Sequence, residues 1–166
     1  IWSARPTRGP KAPIGEYQVW LKVNGTELSH SFSIEMNPNL KGISEADLKE
    51  QFDLAMKIRD KTTSANEAVI KIRSIKSQIE DRKKETSNKE LHTLASELAE
   101  KLSKVEQALY QVKNQSNQDP LNFPIKLNNR LASLRRSMEN GDAKPTNGAY
   151  QVFEELSEEL AGHLAE

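Results

Sequence analysis

Three histidines, an acidic cluster, a basic stretch and an amide-rich segment are the places where this chain could do chemistry. His30, His92 and His163 could bind a metal or move protons. Metal-binding histidines need partners at set spacing, such as His-Glu-x-x-His or the paired Glu-x-x-His turns of di-iron bundles. Neither arrangement occurs on the predicted helices. Glu159 and His163 stand four apart and share a helix face, but two ligands do not complete a site. Surface or structural histidine is the stronger reading, and no metal or cofactor is expected. The chain has no cysteine, so thiolate sites and disulfides are excluded.

Glu154, Glu155, Glu158 and Glu159 crowd one late helix. Paired carboxylates cleave glycosides when two converge across a cleft. These lie together on one side of one element, so a solvated acidic face is the stronger reading. Lys71, Arg73, Lys76, Arg82, Lys83 and Lys84 form a basic stretch, diluted by Glu80 and Asp81. No aromatic residues interleave it for base stacking, so nucleic acid is not an expected partner. There is no glycine-rich phosphate loop and no Gly-x-Ser-x-Gly elbow.

Residues 110–130 are rich in Asn and Gln and carry two prolines. Amide side chains satisfy exposed backbone at helix ends and turns. A specified helix–helix corner is the first reading. A ligand-contacting loop is the second, drawing on Tyr110, Asn114, Asn122, Phe123, Asn128, Asn129 and Arg130, with Trp20 as a further exposed aromatic. No catalytic set emerges from any of these residues.

The elements that must position them are plainly signalled. "TRGPKAP" reads as a linker. Tyr17, Val19, Leu21 and Val23 alternate with polar residues and Trp20. Asn24-Gly25 follows, and Leu28, His30, Phe32, Ile34 and Met36 keep the two-residue period. Alternation around Asn-Gly predicts a β-hairpin over 14–36. Such a hairpin is marginal alone. It needs further strands around Ile1–Ala4, the following helices, or a sheet from elsewhere.

Asn37-Pro38-Asn39 ends the sheet. Ser44 and Asp47 predict a capping box, with Ile43 and Leu48 as the staple. No Pro or Gly then occurs until Pro120. A break at Thr86-Ser87-Asn88, with Ser87 and Glu90 as a second box, gives helices over 44–84 and 88–115. In the first, Ile58, Ala65, Ile72 and Ile79 repeat every seven residues, supported by Leu48, Phe52, Ala55, Val69 and Ile75. In the second, Leu91, Leu98, Val105 and Val112 interleave with Ala95, Leu102 and Leu109 as an a/d seam. The pair should form an antiparallel helical hairpin. A third helix is expected over 124–140, with Ile125, Leu127, Leu131, Leu134 and Met138 inward. A fourth follows Thr146, with Ala149, Val152, Phe153, Leu156, Leu160 and Leu164 inward. The expected fold is mainly α with a small N-terminal β part: residues 1–38 as a hairpin segment, and 39–166 as an antiparallel bundle of two long and two short helices.

Composition agrees with elongation. Hydrophobic residues make up 36% of 166, and the seven glycines do not lift this to the roughly 45–50% of an ordinary domain. Acids and bases balance at 24 each, unlike the basic excess of a nucleic-acid binder. The balance hides a polarity: residues 139–166 hold seven acids and one lysine, a net of −6. Docking of this acidic helix on the more basic helical pair is one reading, and plain solubility is another. No apolar run is long enough for a membrane span. The chain starts with Ile1 and reaches its first methionine at Met36. It is therefore expected to begin mid-protein or to have lost a leader.

The stretch "LYQVKNQSNQDPLNFPIKLNNRLASL" (109–134) resembles the C-terminal region of bacterial proteins with BNR or sortilin-type propeller repeats that carry a glycosyl-hydrolase name. So do "QFDLAMKIRDKTTSANEAVIKIRSIKSQIEDR" (51–82), "APIGEYQVWLKVNG" (12–25) and "YQVFEELSEEL" (150–160). In that family large propellers precede an immunoglobulin-like strand segment and a helical tail. The resemblance implies that the hairpin closes an immunoglobulin-like sheet and that the parent protein is exported. It also implies that the rest of that protein is the partner. Any hydrolase activity would belong to the propeller, because no Asp-box occurs here and no family catalytic residue has a position to land on. The implied role is a non-catalytic helical module for intramolecular packing or association. The alternatives are a self-associating scaffold and a carbohydrate- or peptide-binding module.

Overall fold

The computed structural model describes residues 9–116 and 118–165. The strand considered around Ile1–Ala4 lies outside them. The hairpin forms as expected: β1 (Gly15–Val23) pairs antiparallel with β2 (Thr26–Ile34). Asn24 and Gly25 both take positive φ, 49° and 81°, which matches the twist of the flanking strands. The register places Tyr17 opposite Phe32, Val19 opposite His30 and Leu21 opposite Leu28. Tyr17 and Phe32 stack with ring centroids 5.7 Å apart. Neither strand packs on a helix. Leu21 and Leu28 are left 57% and 62% exposed. Only the base of the hairpin is tied to the helices. Lys11 donates from its backbone N to Glu139 Oε1 at 2.9 Å, and its Nζ lies 3.1 Å from Asp142.

Helix α1 (Glu45–Glu85) opens with the expected box. Asp47 N donates to Ser44 Oγ, and Ser44 N donates to Asp47 Oδ2. Its 41 residues give a rod of about 60 Å. Helix α2 (Lys89–Leu109) starts beside the expected break, but its cap is Asn88, not Ser87. Asn88 Oδ1 accepts from Glu90 N at 2.9 Å and Leu91 N at 3.3 Å. One step of register moved the cap, because Asn offers a carbonyl that reaches two amides at once. Asn88→Ala should therefore lower stability by about 1 kcal/mol, and Ser87→Ala by almost nothing. Thermal unfolding of the two variants side by side would reverse the assignment if Ser87→Ala cost more.

Helix α2 ends at Leu109, six residues before the expected limit of 115. Tyr110 is extended, and Asp119 takes over the amides beyond it. Its carboxylate accepts from Gln115 N and Ser116 N, at 2.5 and 2.8 Å. A 3₁₀ turn (Asp119–Leu121) follows. Helix α3 (Leu127–Met138) starts three residues later than expected. Pro124 stays outside because its carbonyl accepts from Gln111 Nε2 at 2.8 Å. Ile125, expected inward, is exposed. Helix α4 (Asn147–Ala165) begins after Thr146 as expected, with Ala149 N donating to Thr146 Oγ1. Leu156 and Leu160 face the core, while Val152 and Leu164, also expected inward, are exposed.

The architecture is thus mainly helical: an N-terminal antiparallel hairpin followed by four helices. Helix α1 is its spine, and its two halves have different neighbours. Along the N-terminal half, α3 runs back from Asn66, whose Oδ1 accepts from Asn128 Nδ2, to Gln51, whose Nε2 donates to the carbonyls of Met138 and Gly141. Helix α4 starts beside Glu50, which pairs with Lys144 at 3.1 Å. Along the C-terminal half only α2 is alongside, with Arg73 reaching Glu106 and Lys83 reaching Ser96. The core sits in the first region and at the junction. It holds Leu54, Ile58, Ala65, Val69, Leu109, Leu127, Leu131, Leu156 and Leu160. Beyond the junction no other described element packs on the two-helix arm.

The α2 seam is rotated from the expected a/d set. Ala95, Leu102 and Leu109 are covered, but Leu91, Leu98 and Val112 are exposed. Glu106, at the position between Leu102 and Leu109, is buried instead.

Candidate functional site

The amide-rich corner joins the arm to the three-helix region. Gln111 is almost fully buried and holds it from both ends of its amide. Nε2 donates to Pro124 O, and Oε1 accepts from Lys113 N at 3.2 Å. Lys113 Nζ lies 5.6 Å from the centre of the Phe123 ring. Asn122 donates its backbone N to Asp119 O. Hydrogen bonds from the backbone of Gln115 and then of Ser116 hold the exposed Asp119 carboxyl below its ordinary range. The Gln111 amide and the Asp119 carboxylate thus replace backbone bonds that the helices give up here.

The candidate ligand residues divide among three places. Tyr110, Asn114, Asn122 and Phe123 belong to the corner. Asn128, Asn129 and Arg130 lie in the first turn of α3. Trp20 lies on the polar face of the hairpin, opposite Ser29, and is not brought to the others. Asn128 donates to Asn66, and its Oδ1 is buried without a partner among the described residues, as is Asn114 Oδ1. Asn129 is half-buried, with its backbone N bonded to Lys126 O. Arg130 grips Glu159 on α4 through both carboxylate oxygens, at 2.9 and 2.6 Å. The acidic helix does dock through a cation, but the cation comes from α3 and not from the long pair.

A charged cluster at the mouth of the arm has no counterpart in the sequence reading. Glu106 is 5% exposed. Its carboxylate accepts from Arg73 Nε at 2.7 Å and Lys76 Nζ at 3.1 Å, both on α1. Burial opposes ionisation of Glu106, but the hydrogen bonds from Arg73 and Lys76 outweigh it and their charges add to the effect. The net result is a carboxyl below its ordinary value of 4.5. Arg73 also lies 5.0 Å from the Tyr110 ring centre, so one guanidinium serves the seam and the corner. The visible signal was an acid spaced at three and four residues from Leu109 and Leu102, which is a covered helix position.

The other candidates stay apart. His92 sits in the first turn of α2 and reaches back to the inter-helix turn, with Nε2 donating to Thr86 O at 2.9 Å. His30 lies on the apolar face of the hairpin, and His163 near the end of α4. Glu154, Glu155 and Glu158 are exposed. Among the described residues no group of three His, Asp or Glu could hold a metal ion.

Clefts open at two places among the described residues. One, of about 170 Å³, lies between the hairpin base and α1, among Pro13, Ile34, Met36, Leu48 and Phe52. It is smaller than the roughly 300–1,000 Å³ of typical ligand pockets. The other, of about 380 Å³, is open and lies where α3 ends and α4 starts, among Leu134, Met138, Pro145 and Val152. Neither includes the corner residues. No described helix is long and apolar enough to cross a membrane. No protein-family model, curated protein or solved structure matches the chain.

Proposed function

We propose that the chain is a non-catalytic helical module, and that its hairpin docks into the sheet of a larger parent protein. The observation that supports this is the uncovered row on the hairpin. Among the described residues, Tyr17, Val19, Leu21, Val23, Leu28 and Phe32 share one face that no helix covers, and no further strand pairs with the outer edge of either strand. An apolar face with open edges invites strand addition and sheet packing. In this reading the hairpin completes an immunoglobulin-like sheet, and the parent is an exported propeller protein of the kind that the sequence resembles. The helical part then closes the end of that sheet. Its own anchor is the pair of contacts from Lys11 to Glu139 and Asp142.

Amide exchange tests the docking role. In the 166-residue chain, hairpin amides should exchange far faster than those of Leu131 and Leu156, because an unsupported hairpin is marginal. Equal protection would mean that the hairpin is stable without a partner. A panel of glycosides should show no turnover. Turnover that disappears on replacing Glu154 or Glu158 would defeat the non-catalytic reading.

A further inference from the structure

Past Val105, toward the tip of the arm, α2 turns a second apolar row to solvent. Leu91, Leu94 and Leu98 are 51%, 55% and 47% exposed. They continue the face of Val105, which packs on the core, at helical spacing. Helix α1 covers the neighbouring face of α2, where His92, Ala95, Ala99 and Glu106 lie half-buried or buried. Helices α3 and α4 lie along the other half of α1 and leave the row open. Three adjacent exposed leucines on a rigid helix form a contiguous patch of the kind that marks an interface.

The charges beside the row say what covers it. At about 100° per residue, Glu90, Glu97, Lys101 and Lys104 all fall on its free flank. The acids take the N-terminal half of that flank and the bases the C-terminal half. Glu90, Glu97 and Lys101 make no ion pair among the described residues, and Lys104 reaches only Glu100, both strongly exposed. When two identical helices pack antiparallel, the same flank of each meets the other. A two-fold axis near Leu98 then sets Leu98 on Leu98, Leu94 near Leu102 and Leu91 near Val105 of the second copy. Glu97 faces Lys101, and Glu90 faces Lys104. Such a contact is isologous and closes on itself.

We infer that a second copy of this chain docks antiparallel on the Leu91–Leu94–Leu98 row, with Glu90 and Glu97 of each copy against Lys101 and Lys104 of the other. The two arms together make a four-helix bundle in which the row is core. This surface is separate from the hairpin, so the two proposals stand or fall independently.

Sedimentation across the micromolar range should show the mass rising from 18.7 kDa to twice that value. Leu94→Glu combined with Leu98→Glu should raise the dissociation constant about a hundredfold or more. Helical circular dichroism should not change, since both residues are exposed. Glu97→Lys should weaken association, and adding Lys101→Glu should restore it. The doubly exchanged chain should pair with itself and not with the unaltered chain. The inference is overturned by the 18.7 kDa mass at every concentration, by undiminished association of the leucine variant, or by free mixing of exchanged and unaltered chains. Loss of association on Leu21→Ser with Leu28→Ser, but not on the α2 changes, would move the contact to the hairpin and also end it.

Discussion

Leu131→Ala is expected to lower the unfolding free energy by about 2–5 kcal/mol. Leu131 has no exposed surface and belongs to the cluster formed by Leu54, Ile58, Leu127, Leu156 and Leu160. Removing its isobutyl group forfeits apolar burial, and the surrounding helices, held by Gln51 and Asn128, cannot fully close the gap. A domain of this size has roughly 5–15 kcal/mol in all, so the loss is a large part of the total. Leu98→Ala, on the exposed row of α2, should cost no more than about 0.5 kcal/mol when the chain is monomeric. Urea unfolding followed at the helical signal compares the two. Similar costs would mean that the core does not lie where α1, α3 and α4 meet.

Glu106→Gln is expected to cost about 1–3 kcal/mol at neutral pH. Breaking a fully buried ion pair costs more, about 3–5 kcal/mol. Here Arg73 and Lys76 are 53% and 33% exposed and can turn toward water. The effect should depend on pH with a definite sign. The Glu106 carboxyl is held below 4.5 in the folded chain, so ionisation favours folding. That contribution is complete above the unfolded value and is lost as pH falls through the lower folded one. The gap between the original chain and Glu106→Gln should therefore be constant from neutral pH down to weak acid, and should narrow below about pH 4. A gap that persists undiminished in stronger acid would show that shape, not charge, is what Glu106 contributes.

Signals confined to a few residues mostly carried over into the structure, the Ser87–Glu90 box being the exception, displaced by Asn88. The Asn24-Gly25 turn, the Ser44–Asp47 box and the Thr146 cap each depend on one turn of backbone, and each was legible. Signals that need a distant partner were not. The end of α2 and the start of α3 are set by Gln111 reaching Pro124 and by Asp119 gathering two amides. No periodicity announces either bond. The α2 seam was legible as apolar but not in its phase. Its apolar arc is wider than one stripe, and the residue that fixes the rotation is a charged one, Glu106, which only its partners on α1 explain. The amide-rich corner was correctly marked as unusual. Two of its amide side chains, Gln111 and Asn128, bond to the chain itself, which the type of residue alone could not announce.

The spine has a consequence for the order of assembly. The bonds that seal the arm join residues close in sequence: Lys76 and Glu106 are 30 apart. The bonds that seal the other half of α1 span 62 residues between Asn66 and Asn128, and 87 between Gln51 and Met138. Closing longer loops costs more entropy, though slowly. On a chain made from its N-terminus the difference is also one of time. The two strands can pair with each other, and the arm can close, once residue 110 has emerged. Leu54, Ile58 and Val69 must wait for Leu127, Leu131, Leu156 and Leu160. The first half of α1 is therefore synthesised early and covered last, and its apolar face is the part of a nascent chain most exposed to mispairing.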